Sequence, residues 1–169
     1  MTLPDPSPEA MLASVFGFHA FRPGQEEIVR AVLAGRNTLA IMPTGGGKSL
    51  CFQLPALCLP GLTVVISPLI ALMRDQVRSL LEAGVEAGAL TSGNTEEETE
   101  AVFEAIDAGR LKLLYIAPER LAGKYSGLER IEGKLLRLVL LHGDFLQDHA
   151  LFEIEILAGG FHIADQVGQ

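Results

Sequence analysis

Three consecutive glycines followed by a lysine and a serine, Gly45-Gly46-Gly47-Lys48-Ser49, are the residues of this chain whose types and spacing best suit chemistry. Glycines let a backbone turn several N–H groups onto phosphate oxygens. A lysine in this place supplies a point charge for β- and γ-phosphates, and a serine supplies a hydroxyl ligand for Mg²⁺. Thr38 to Met42 (TLAIM), just upstream, is a short apolar run of strand character. Downstream, the chain from about Lys48 to Cys58 has helical length, and a helix N-terminus adds a positive dipole end. Strand, glycine turn, Lys-Ser and helix together predict a triphosphate-binding loop over Met42 to Ser49 (MPTGGGKS), with Thr44 inside it. The strict spacing GxxxxGK(S/T) is not met, because Met42 holds the place of its first glycine. The loop is a variant in which Thr44 and Gly45 precede the last glycine and Lys-Ser.

Such a loop works only at the end of a strand in a layered domain, and the flanking pattern provides one. Ser7-Pro8-Glu9 starts a helix that ends at Gly17, and Pro23 opens a second with Ile28, Val29, Val32 and Leu33 inward. Pro55 falls inside the helix after the loop and predicts a kink there. Leu62 to Ser67 (LTVVIS) and Lys112 to Ala117 (KLLYIA) are buried-strand runs, with a weaker strand at Ala87 to Thr91. Leu69 to Ala83 is helical. Thr95 and Glu98 form a capping box that opens a helix to about Ala108. Continuous apolar strands separated by helices predict an α/β fold, mostly a parallel sheet with helices on both faces, in a RecA-like or Rossmann-like layout; a RecA-like P-loop domain is what the resemblance described below implies.

The pattern changes near Gly123. Leu135 to Leu141 (LLRLVLL) reads as one more inner strand. Phe152 to Ile156 (FEIEI), Gly159-Gly160 and Phe161 to Ala164 then read as an antiparallel hairpin. The tail is therefore expected either to form a β-hairpin or to lack order. This divides the chain into a lobe over residues 1–123 and a divergent tail over 124–169.

Composition sets the outer bounds. The chain has 169 residues, 49% of them hydrophobic and 20% charged, which suits one globular domain rather than a disordered segment. The acidic, proline-rich start lacks a signal peptide's basic and apolar regions, and Pro60, Gly61, Ser67 and Pro68 interrupt the most apolar stretch. A soluble, cytoplasmic protein with no membrane segment is expected. A net charge of −8 argues against nucleic acid covering the whole surface but permits a local basic groove. Cys51 and Cys58 are too few for a zinc module, so no structural zinc is expected, and both are read as buried free thiols.

Four segments in order resemble the N-terminal motor lobe of RecQ-family DNA helicases. FGFHAFRPGQEEIV (Phe16 to Val29) resembles the family's adenine-recognition motif. MPTGGGKSLCFQLPAL (Met42 to Leu57) resembles motif I, VVISPLIALMRDQV (Val64 to Val77) motif Ia, and LLYIAPERL (Leu113 to Leu121) the strand and loop that follow. The match covers roughly residues 10–122. It implies ATP with Mg²⁺ as the nucleotide, Phe18 stacked on adenine, Gln25 reading its edge, and Arg22 beside it. A side-chain amide carries both the donor and the acceptor adenine asks for. The resemblance further implies single-stranded or partly duplex DNA as partner, with Ser67, Arg74 and Arg120 touching it and Thr91 to Asn94 as a further contact loop. The family's role in DNA repair and recombination is implied in the same way.

The resemblance stops at the family's DEAH motif, whose Asp organises Mg²⁺ and whose Glu orients the attacking water. No Asp-Glu dipeptide occurs in this chain, and Asp144 in HGDF is the carboxylate nearest the expected place. The expectation is an ATP-binding lobe of a 3′–5′ DNA helicase that binds ATP weakly and does not unwind DNA by itself. A truncated or frame-shifted product would explain the break. The alternative is a non-catalytic nucleotide- or DNA-binding regulatory module; a small P-loop kinase ranks last, because it leaves Gln25 unexplained.

Overall fold

A computed structural model of the protein describes residues 7–43, 45–121, 129–132, 135–143 and 151–158. Helix α1 (Pro8–Ser14) starts where the sequence says it should: the Ser7 hydroxyl accepts the Ala10 N–H at 3.1 Å, with Pro8 in the first turn. Helix α2 (Gln25–Leu33) follows, burying Gln25, Val29 and Val32. Strand β1 (Thr38–Pro43) leads into the glycine loop, and helix α3 (Leu50–Cys58) leaves it. All nine residues of α3 are buried, as expected of a helix that is apolar on every side. Leu50, Leu54 and Cys58 face Leu12 and Val29, while Phe52 and Ala56 face the sheet. Pro55 lies in its interior, and both cysteines are buried thiols outside any disulfide among the described residues.

Strand β2 (Leu62–Ile66) is buried at every position; α4 (Ile70–Glu82), β3 (Ala87–Leu90), α5 (Glu96–Asp107) and β4 (Leu113–Ile116) follow. The capping box at the start of α5 is complete, with both reciprocal bonds between Thr95 and Glu98 present. A 3-10 turn (Pro118–Arg120), a short α6 (Glu129–Glu132), β5 (Leu135–Gly143) and β6 (Leu151–Ala158) complete the described elements.

The six strands form one sheet in the order β1-β6-β5-β2-β4-β3. β2 runs parallel to β4 and β5, and β3 parallel to β4. β6 is antiparallel to both β5 and β1, so β1 shares the direction of the other four. Side chains alternate across the sheet. Val65, Leu113, Tyr115 and Val139 pack with Phe52, Ala56, Met73 and Leu80 on one face; Val64, Ile66, Leu114 and Ile116 pack with Phe103, Ile106 and Ile131 on the other. This is the mostly parallel, helix-covered α/β arrangement expected from the sequence.

The FEIEI segment departs from expectation in its partners. It is a strand, but it extends over Leu151–Ala158 and pairs inside the sheet, Ile154 opposite both Ala40 and Leu141. Acidic and apolar residues alternate along it, a pattern that reads locally as a half-exposed hairpin arm. The Gly159-Gly160 turn, Phe161 to Ala164 and Asp144 fall outside the described residues. Because β1 to β5 all point one way, the chain segments leaving β1, β2, β3 and β4 emerge at a single carboxyl edge, where open α/β sheets bind ligands.

Candidate nucleotide site

The glycine loop begins at the carboxyl end of β1. Gly46 N–H donates to the Pro43 carbonyl at 3.0 Å and closes the turn. Gly45 and Gly47 have φ of +79° and +74°, a left-handed conformation that side chains with a Cβ rarely adopt. At Gly47 the space is also taken, since a Cβ there would stand 2.3 Å from Gln25 Nε2. Lys48 is partly buried, and burial lowers its pKa from the ordinary lysine value because the charged form loses water. Ser49 N-caps α3, at the positive end of its dipole. Thr44 falls outside the described residues.

Gln25 is what ties the helical motif upstream to this loop. It is 3% exposed at the first position of α2. Its Oε1 accepts the backbone N–H of Arg22 at 2.8 Å, and its Nε2 donates to the Gly47 carbonyl at 2.9 Å. Arg22 adds a second tie, its guanidinium donating to the Gly45 carbonyl at 2.8 Å. An amide has two N–H protons and two carbonyl lone pairs, so these contacts leave Gln25 one donor and one acceptor for a ligand. Beside it opens a cleft lined by Phe16, Phe18, Ala20, Arg22, Gln25, Gly47, Ser49, Leu50 and Gln53. Phe18, half exposed, is the aromatic face this cleft offers; Phe16 is partly buried against the core. The structure thus gathers Phe18, Arg22, Gln25, Gly47 and Ser49, five residues the sequence singled out, around one opening.

The other sequence-selected residues lie along the same edge. Ser67 follows β2 and is buried, its hydroxyl accepting the Leu69 N–H at 3.3 Å at the entry to α4. Thr91 follows β3, and its backbone N–H and hydroxyl both donate to Asn94 Oδ1, at 3.0 and 2.7 Å. Arg74, exposed on α4, reaches over this turn, with its terminal nitrogen 2.9 Å from the Cβ position of Gly93. Arg120 follows β4 in the 3-10 turn, and its Nε is buried without a hydrogen-bond partner among the described residues.

Two glutamines escaped the sequence reading. Gln53 Nε2 donates to the buried hydroxyl of Tyr115 at 2.9 Å, joining α3 to β4. Gln76 Nε2 donates to Ser49 Oγ at 2.8 Å, joining α4 to the glycine loop. A signal for Gln76 was present: it stands in an otherwise apolar helical stripe, Met73, Gln76, Val77 and Leu80.

Residues 22–140 match the DEAD/DEAH box helicase family. The chain is 52% identical over 115 residues to the ATP-dependent DNA helicase RecQ of Haemophilus influenzae, covering 68% of this chain and 19% of that protein. It is 50% identical over 114 residues to the RecQ of Bacillus subtilis, covering 67% of this chain and 19% of the relative. With the ATP-dependent DNA helicase Q1 of Rattus norvegicus it shares 44% over 124 residues, 72% of this chain and 20% of that one. The chain therefore spans about a fifth of the length of these curated relatives. Together with the mostly parallel sheet and the loop at the end of β1, the match over residues 22–140 shows that the chain belongs to the DEAD/DEAH box helicase family, with RecQ helicases among its relatives.

Proposed function

We propose that this chain is the ATP-binding lobe of a RecQ-like 3′–5′ DNA helicase that acts in DNA repair and recombination. The observation that carries the reading is the cleft in which the exposed ring of Phe18, the guanidinium of Arg22 and the amide of Gln25 adjoin Gly47 and Ser49. Adenine stacks on Phe18, and the second proton and second lone pair of Gln25 meet its edge. The loop backbone from Thr44 to Gly47 cradles the phosphates with the N-terminus of α3. Lys48 sets its charge against the β- and γ-phosphates and is the catalytic residue of the set.

Mg²⁺ fits the site through Ser49 Oγ, and the buried, partnerless Oε1 of Gln76 beside that hydroxyl is a polar atom still lacking a partner. A cation held there by Ser49 would offset the negative charge of the phosphates. Among the described residues no group of three or more His, Cys, Asp or Glu could hold a metal ion.

The partner is single-stranded or partly duplex DNA, met at the carboxyl edge by the start of α4 after Ser67, by Arg74 and by Arg120. Support comes from the open reach of Arg74 and from the unpartnered Nε of Arg120, which suits a phosphate. Residues 1–123 carry the family's motifs as an incomplete lobe. The stretch from 124 is the divergent tail of this reading, although the family match runs on to residue 140 and β5 and β6 join the lobe's sheet. The protein works in the cytoplasm; among the described residues no helix is long and apolar enough to cross a membrane.

Calorimetric titration of ATP and GTP, with and without Mg²⁺, on the wild type and Gln25→Ala tests the reading. The variant should bind both nucleotides less tightly, because the Gly47 carbonyl loses its tie, and should lose its preference for ATP over GTP. A wild type that binds no ATP refutes the proposal, and a variant that keeps the full preference removes Gln25 from adenine recognition.

A further inference from the structure

Gln76 is the polar member of the inner stripe of α4, three residues after Met73 and four before Leu80, both of which are buried. Its amide reaches across to the glycine loop, where Nε2 donates to Ser49 Oγ at 2.8 Å. The other end of the same amide, Oε1, is buried and has no hydrogen-bond partner among the described residues. A buried carbonyl oxygen without a donor is uncommon in folded proteins and calls for a cause. Here its neighbour across the gap is the hydroxyl assigned above to Mg²⁺, and the inference rests on that assignment.

We propose that Gln76 is a positioning residue for Ser49, and that its orphan Oε1 is the acceptor for the Ser49 hydroxyl proton when the hydroxyl ligates the cation. A serine hydroxyl has one proton and two lone pairs. In the structure the Nε2–H of Gln76 takes up a lone pair of Ser49. A divalent cation needs a lone pair, repels an N–H aimed at the same oxygen, and polarises the O–H so that it becomes a stronger donor. The amide answers all three by turning over about its last side-chain torsion, which is broad and roughly two-fold. Oε1 then faces Ser49 and accepts its proton, and the lone pairs point to the metal. The turn carries Nε2 to the place that Oε1 leaves, so what the amide contributes is the hold on the Ser49 proton that orients the hydroxyl's lone pairs. Outer partners of this kind fix the orientation of metal ligands. The helix that supplies it also carries Arg74 over the Thr91 to Asn94 turn, so the metal ligand and the proposed DNA edge are held by one rigid element.

The test is the Mg²⁺ enhancement of ATP binding, read as the ratio of affinity in saturating Mg²⁺ to affinity in EDTA. It is measured on the 169-residue chain. Gln76→Leu keeps the bulk and removes both polar atoms; its ratio should fall by about tenfold, the lower end of the range for outer partners of metal ligands. Gln76→Glu keeps an acceptor and adds a negative charge that attracts the cation and repels metal-free ATP, so its ratio should not fall below the wild-type value. Ser49→Ala should lose the enhancement and leave Gln76→Leu nothing further to remove. If Gln76→Leu fails to fold, Gln76→Asn, which withdraws the acceptor by one methylene, should show the same loss. An unchanged ratio in Gln76→Leu, equal losses of affinity with and without Mg²⁺, or a Gln76→Glu variant as impaired as Gln76→Leu would each overturn the inference while leaving the ATP site standing. A wild type that binds no ATP under either condition would instead bring down the site reading, and this one with it.

Discussion

Replacing Gly47 by alanine tests the tie between α2 and the glycine loop more sharply than removing Gln25 alone. The new methyl would meet two obstacles. The first is the backbone, held at φ +74°, where an alanine is disfavoured by roughly 1 kcal/mol. The second is Gln25 Nε2, 2.3 Å from the Cβ position. The end of a glutamine side chain normally moves aside at little cost. This one is 3% exposed and bonded at both ends, so moving it breaks the bonds from Arg22 N–H and to the Gly47 carbonyl. Two such bonds contribute about 2 kcal/mol together. The expected loss for Gly47→Ala is then about 3 kcal/mol, or roughly 6–12 °C of melting temperature in a chain of this size. In a Gln25→Ala background the second obstacle is gone, and Gly47→Ala should cost only the backbone share, about 1 kcal/mol. Urea unfolding of the four proteins of this cycle, at fixed salt and without nucleotide, gives the coupling directly, about 2 kcal/mol. Equal losses in the two backgrounds would refute the contact, because only Gln25 distinguishes them.

Two other predictions rest on single side chains. ATP should bind with proton uptake above neutral pH: burial lowers the Lys48 pKa in the free protein, and phosphate oxygens raise it again in the complex. The complex therefore holds more protons in the window between the two values, so affinity falls as pH rises through it, and apparent binding enthalpies differ between buffers of different ionisation enthalpy. A Lys48→Ala variant should lose that buffer dependence, and a wild type without it would contradict the coupling. Tyr115→Phe removes the acceptor of Gln53 Nε2 in a buried site, which should destabilise the chain by about 1–3 kcal/mol. Adding Gln53→Leu should recover most of the loss, since both polar partners are then gone; a Tyr115→Phe single variant as stable as wild type would dismiss the bond.

The parallel frame of the fold was legible because its signals are local. Apolar runs such as LTVVI and LLYI name buried strands, Ser7 and Thr95 name helix starts, and Gly45 to Ser49 name the loop. The place of β6 was not legible. Alternation in FEIEI identifies a strand but says nothing of which strands receive it, and pairing with β1 reaches back more than a hundred residues. Among site residues, glycine spacing and the segment around Gln25 led to the cleft, because they constrain backbone shape. Burial of Ser67 and the reach of Arg74 over Gly93 depend on how α4 docks, which no local pattern encodes.

The three glutamines around the loop share a physical logic that the apolar pattern hides. Gln25, Gln53 and Gln76 each stand on a helix face that packs inward, and each spends its amide on a partner in a different element. A leucine at any of these places would pack as well and tie nothing. A carboxylate or an amine would bring a charge whose burial is costly beside a phosphate site. A neutral amide carries both a donor and an acceptor, so it can hold a backbone carbonyl or a hydroxyl and still answer a ligand. Gln25 does so with a proton and a lone pair to spare, and Gln76 with an oxygen that has no partner. Polar residues set into otherwise apolar helix stripes next to a glycine loop are therefore the places to look for groups that respond to the nucleotide, even where the sequence between the stripes reads as core.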